Sequence, residues 1–152
     1  MEDVRRILVV SRSTKNCRFA VESGVSLARR YQAELYVLYL SPGPIDLDSL
    51  HMPERFLPEE YGKYESGQQA AEMIVDQIIR QEEEKGLPIK KLIRHGEPVA
   101  EVEKLVAHEK IDLIVMPAQK EGFFEQFLFE GDTRGIIRAM PCSILLVKKE
   151  SP

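Results

Sequence analysis

Tryptophan is absent from the 152 residues, and aromatic side chains make up only 7%. The chain therefore lacks the means for an aromatic platform on which single-stranded nucleic acid could stack. Cysteine occurs only at Cys17 and Cys142, far apart and outside any CxxC spacing. That excludes a disulfide scaffold and fits two reduced thiols in a cytosolic protein. Positive charge is not in excess: 21 Lys and Arg face 25 Asp and Glu, for a net charge of −4 and a pI near 5.5. Such a balance argues against nucleic acid and anionic lipid as partners. No apolar run approaches the roughly 18 residues of a membrane helix, so no membrane insertion is expected. Met1 to Arg6 leads straight into a strand-like run, without the basic and then apolar segments of a secretory signal. A cytoplasmic location is the expectation. The three histidines, His51, His95 and His108, have no metal-ligand spacing, and no metal site is expected.

Hydrophobic residues at 43% and charged residues at 30% describe a chain able to bury a core. One domain over residues 1–150 is expected. Short apolar runs read as strands: Ile7 to Val10, Leu35 to Leu40, a weaker run from Ile89 to Ile93 broken by Lys90 and Lys91, Leu113 to Met116, and Ile144 to Val147. Runs without alternation suit a parallel sheet covered on both faces. Between them lie helical patterns. Ala20, Gly24, Leu27, Ala28 and Tyr31 mark one helix face. Ser66 and Gln69 have capping-box spacing before Ala70, Ile74, Ile78 and Ile79, with Gly86 as the stop and Glu82-Glu83-Glu84-Lys85 as a solvated last turn. Pro98 opens a third helix with Val99, Val102, Leu105 and Val106 inward. A fourth runs from about Asp132 to Met140, with Ile136, Ile137 and Met140 inward. The stretch 41–65 holds Pro42, Pro44, Pro53 and Pro58 and reads as a long irregular loop, a candidate lid or partner surface.

The resulting order, β-α-β-α-β-α-β-α-β, is constrained by right-handed crossovers to a doubly wound α/β/α sheet. The simplest strand order is 3-2-1-4-5. Ligands bind such sheets beyond the carboxyl ends of the strands where the order reverses, here between the first and fourth strands. The candidate crevice comprises Ser11, Arg12 and Ser13 from one side, Met116, Pro117, Lys120 and Gly122 from the other, and Gly131, Asp132 and Thr133 at the start of the last helix. A helix start offers free N–H groups to an anion.

Arg6 to Leu40, Gly96-Glu97-Pro98, Ile111 to Met116 and Met140 to Val147 together make the chain resemble the universal stress protein family over nearly its whole length. The resemblance implies a five-stranded parallel sheet of order 3-2-1-4-5, of the adenine nucleotide alpha hydrolase-like kind. It implies a homodimer formed by antiparallel pairing of the last strand, Ser143, Ile144, Leu145, Leu146 and Val147. Family members divide into those that bind ATP or another adenine nucleotide and those that do not. Binders carry a motif of Gly, two residues, Gly, nine residues, Gly, then Ser or Thr. Here Pro117, Lys120 and Glu130 stand at the three glycine positions and Gly131 at the hydroxyl position, while Arg12 replaces the Asp that follows the first strand.

Proline has no N–H for a phosphate and its ring hinders close approach. Glu130 would set a carboxylate against the phosphates. Lys120 and Arg12 can compensate as side-chain cations, and a one-residue slip can recruit Gly122, Gly131 and Thr133. Three readings follow. The first is a non-catalytic stress-adaptation protein that acts through its dimer and loop, with no cofactor. The second is an adenine-nucleotide switch taking ATP or AMP at a modified phosphate site. The third, a slow nucleotide hydrolase, lacks an identifiable base, metal-ligand set or phosphate loop. Ser11 or Ser13 with His95 has no surrounding nucleophile motif. Cys17 at a helix start is a candidate redox-sensing thiol set against simple packing.

Overall fold

The computed structural model describes residues 3–11, 17–41, 57–118 and 133–148. The strands are β1 (Arg6–Ser11), β2 (Glu34–Ser41), β3 (Ile89–His95), β4 (Leu113–Pro117) and β5 (Ser143–Val147). The helices are α1 (Cys17–Tyr31), α2 (Leu57–Glu84) and α3 (Pro98–Glu109), and residues 133–139 form a fourth, α4. The sheet order is β3-β2-β1-β4-β5, and all four pairings are parallel. The order read from the sequence is therefore the observed one.

Odd and even residues of the strands feed two separate cores, as a pleated strand requires. Ile7, Val9, Leu35, Val37 and Val115 pack with Ala20, Val21, Val25 and Ala28 of α1 and Val75 and Ile79 of α2. Leu8, Val10, Leu38, Ile114 and Met116 pack with Val102, Leu105 and Val106 of α3 and Ile136 of α4. The central strands β1 and β4 are thus buried on both faces, which explains their unbroken apolar runs.

Several expected details differ. The second helix starts at Leu57, not Ser66, so part of the stretch read as irregular is helical. Pro58 falls in the first turn, where a missing N–H costs no helical bond, and prolines alone were a poor guide there. Ser66 accordingly lies inside the helix. Residues 42–56 lie outside the described residues. The inward face of α2 is Ala71, Val75 and Ile79, whereas Ala70 and Ile74 are exposed. Glu82 is not solvated: it is buried and ion-paired with Arg29 of α1 and with Lys85. Tyr31 ends α1 pointing outward. Met140 is exposed as well, because it leaves α4 with φ of 42° while its N–H bonds to the Ile136 carbonyl.

Gly86 does stop α2. At φ of 93° it donates to the Glu83 carbonyl, and Leu87 donates to that of Glu82, a Schellman closure. Ahead of α3, Gly96 adopts φ of 125°. The Glu97 carboxylate then accepts from the Val99 and Ala100 amides at 3.1 and 2.7 Å. Pro98 follows at the first helical position.

Candidate functional site

The reversal of strand order lies between β1 and β4. Their paired residues run from Ile7 opposite Leu113 to Val9 opposite Val115. Val10 and Ser11 of β1, and Met116 and Pro117 of β4, extend past the last pair. The backbone explains where the ladder stops. The Ala118 N–H donates to the Val147 carbonyl at 2.8 Å, toward β5. Directions alternate along a strand, so the nitrogen of Pro117 faces β1, and it has no hydrogen to give. Pro117 thereby ends the β1–β4 ladder at the strand reversal.

Ser11 is fully buried at the end of β1, and Met116 is 3% exposed on the α3 and α4 side of the sheet. Pro117 and Thr133 are partly buried. Thr133 is the first described residue of α4, whose first turn lies against that of α3: a Cβ on Gly135 would meet Val99 Cγ2 at 2.6 Å. The amino end of α3 holds no free anion site, because the Glu97 carboxylate already takes two of its amides. The structure therefore brings Ser11, Met116, Pro117 and Thr133 to one end of the sheet. Arg12, Ser13, Lys120, Gly122, Gly131 and Asp132 lie outside the described residues.

A second constellation escaped the sequence reading. Beside the carboxyl ends of β2 and β3, under α2, a cleft of about 230 Å³ is lined by Tyr39, Gln68, Glu72, Lys91, Ile93 and His95. The Tyr39 hydroxyl donates to Asp76 Oδ1 at 3.0 Å. Lys91 Nζ donates to the same oxygen at 2.8 Å and lies 4.7 Å from the Tyr39 ring centre. Burial first, then the Asp76 carboxylate, hold the Tyr39 hydroxyl far above its ordinary pKa, so it stays protonated as a donor. The one available signal was Lys91 interrupting an apolar strand, and its partner is 15 residues upstream on a helix.

Other features carry less chemistry. A cleft of about 550 Å³ at the amino ends of β1 and β2 is bordered by Arg5, Arg6 and Glu34. Arg6 pairs with Glu34, and Asp112 accepts from the Arg5 and Arg6 amides. Cys17 is fully buried. Burial pushes the Cys142 thiol up to about 11, the opposite of an activated thiolate. Among the described residues no group of three acidic, histidine or cysteine side chains could hold a metal ion.

The universal stress protein family profile matches residues 3–148. The chain belongs to the universal stress protein family. Solved structures agree in fold. The universal stress protein UspA of Lactobacillus plantarum is 21% identical with a TM-score of 0.64, over 97% of this chain and 99% of that one. A universal stress protein of Archaeoglobus fulgidus in complex with dAMP is 15% identical with a TM-score of 0.55, over 97% and 100%. A family protein of Arabidopsis thaliana with AMP bound is 12% identical with a TM-score of 0.59, over 97% and 93%. Among curated protein sequences no relative matches. Among the described residues no helix is long and apolar enough to cross a membrane.

Proposed function

We propose that this universal stress protein is a non-catalytic, cytoplasmic stress-adaptation protein that acts as a homodimer and does not hold ATP through a glycine loop. Pro117 carries the reading. By the resemblance it stands where nucleotide-binding relatives have their first glycine, and it has no N–H for a phosphate. The resemblance puts Lys120 and Glu130 at the other two glycine positions, and a carboxylate from Glu130 in such a loop would repel phosphate. The dimer would form through β5. Leu145 and Leu146 of this edge strand are 39% and 44% exposed, and the segment Ser143–Val147 carries no charge, so covering it is favourable.

Calorimetric titration with ATP-Mg and with AMP to millimolar concentration tests the reading. Neither heat nor a shift in melting temperature is expected. A ligand held at 100 times its Kd would add about 2.7 kcal/mol of stability, which a melt resolves. The second reading, an adenine-nucleotide switch, draws on the dAMP and AMP complexes of the two distant relatives. Its phosphate contacts would come from Arg12 and Lys120. Binding abolished by the Arg12→Ala, Lys120→Ala double variant would establish that reading and overturn the first.

A further inference from the structure

Among the described residues the sheet has two edges, β5 and β3. The chemistry of β3 differs from that of β5. The Leu35 N–H donates to the Pro88 carbonyl at 3.1 Å, so the backbone groups of Lys90, Leu92 and Arg94 face β2. Those of Ile89, Lys91, Ile93 and His95 face outward. One outward carbonyl, that of Ile93, accepts from Arg94 Nη1 at 3.0 Å. The side chains divide by face. Lys90 and Arg94 lie on the α3 side with Leu92, which packs into that core, and Lys90 Nζ sits 5.5 Å from the Tyr36 ring centre. Ile93 lies on the α2 side, 54% exposed, next to Lys91, whose charge Asp76 already holds. The strand itself contains no acid.

Charge decides the occupant. A second copy of β3 paired antiparallel about Leu92 would set Lys90 directly opposite Arg94, twice, and like charges opposite one another are destabilising. A neutral strand would leave both cations unanswered. We propose that the β3 edge docks an extended segment of a partner protein by strand addition, with carboxylates at alternate positions facing Lys90 and Arg94 and apolar side chains between them covering Ile93. Main-chain bonds to Ile89, Lys91, Ile93 and His95 supply affinity, and the alternating side chains supply selection. Arg94 gives up the Ile93 carbonyl and takes a carboxylate instead, a charge-assisted bond in place of a neutral acceptor.

The test uses the full chain and a fluorescent peptide of alternating Val and Glu, with a Val and Lys peptide as control, read by anisotropy and by amide NMR. The acidic peptide is expected to bind, shifting the Ile89, Lys91, Ile93 and His95 amides. The Ile93→Pro variant removes one outward N–H without touching the β2 ladder and is expected to weaken binding about tenfold or more. Lys90→Ala with Arg94→Ala is expected to weaken it roughly threefold to tenfold and to flatten its salt dependence. Retained native melting of Ile93→Pro keeps misfolding from mimicking loss of the edge, and Ile93→Thr, which retains the N–H, is expected to bind. The proposal fails if the basic peptide binds as well as the acidic one, or if neither binds. It also fails if folded Ile93→Pro binds undiminished, or if the outward amides are already protected from exchange in the free protein because chain covers the edge.

Discussion

At the scale of single residues, the tightest of the described glycines is Gly24. A Cβ there would sit 2.5 Å from Val9 Cγ2 and 3.3 Å from Leu35 Cδ1. Val9 is fully buried in a central strand and its branched side chain has little rotameric freedom. Overpacking of this kind costs about 1–3 kcal/mol, more than alanine's helix preference over glycine of about 1 kcal/mol returns. Gly24→Ala should therefore lower the denaturant midpoint, and Val9→Ala in that background should recover part of the loss beyond additivity. Tyrosine ionisation gives a second handle. Burial and the Glu34 and Glu109 carboxylates raise the Tyr36 hydroxyl to about 12, and Tyr39 is raised further still. A raised acid contributes stability that is complete below its unfolded value, near pH 10, and is lost as pH rises through its folded value. Melting temperature should accordingly fall from pH 10 toward pH 12, and Tyr36→Phe with Tyr39→Phe should flatten that limb. An unchanged slope in the double variant would assign alkaline loss to other groups.

At the scale of elements, the helix ends show how far local rules reach. Gly86 was legible because glycine is the usual residue in the left-handed position after a helix. Gln32 and Lys110 adopt the same conformation, each at φ of 55°, with the next residue's N–H closing back on Ala28 and Val106. Nothing in their side chains announces it. Glycine there relieves a left-handed penalty of about 1 kcal/mol, so Gln32→Gly and Lys110→Gly should each raise the denaturant midpoint. The same boundary between local and nonlocal information divides the rest. Strand order followed from apolar runs and crossover handedness. The capping trio Gly96-Glu97-Pro98 stood in plain sequence. Glu82 did not, because a glutamate in an acidic run is buried only by virtue of Arg29, 53 residues away. The strand reversal was legible as a place, since crossover handedness alone sets where the order turns back between β1 and β4. Asp76 with Tyr39 and Lys91 was not, since three elements must assemble before those residues meet.

At the scale of the whole molecule, a parallel sheet must dispose of two edges, and this chain equips them oppositely. The β3 edge carries Lys90 and Arg94, which oppose self-pairing. The β5 edge offers Ser143 to Val147 without a charge and with two exposed leucines. Its backbone directions follow from the Val147 carbonyl, which accepts from Ala118 and so faces β4. Ile144 and Leu146 therefore point their N–H groups outward. Ile144 also packs into the α3-side core, which makes Leu146 the cleaner probe. Leu146→Pro deletes one outward donor from an edge strand, a position where proline leaves the inner ladder intact. Sedimentation should find the parent a dimer and this variant a monomer with native circular dichroism, while Ile93→Pro leaves the mass unchanged. A Leu146→Pro protein that stays dimeric would move the interface off β5. If Ile93→Pro instead dissociated the dimer, β3 would be the self-pairing edge despite Lys90 and Arg94, and would not be open to a different partner.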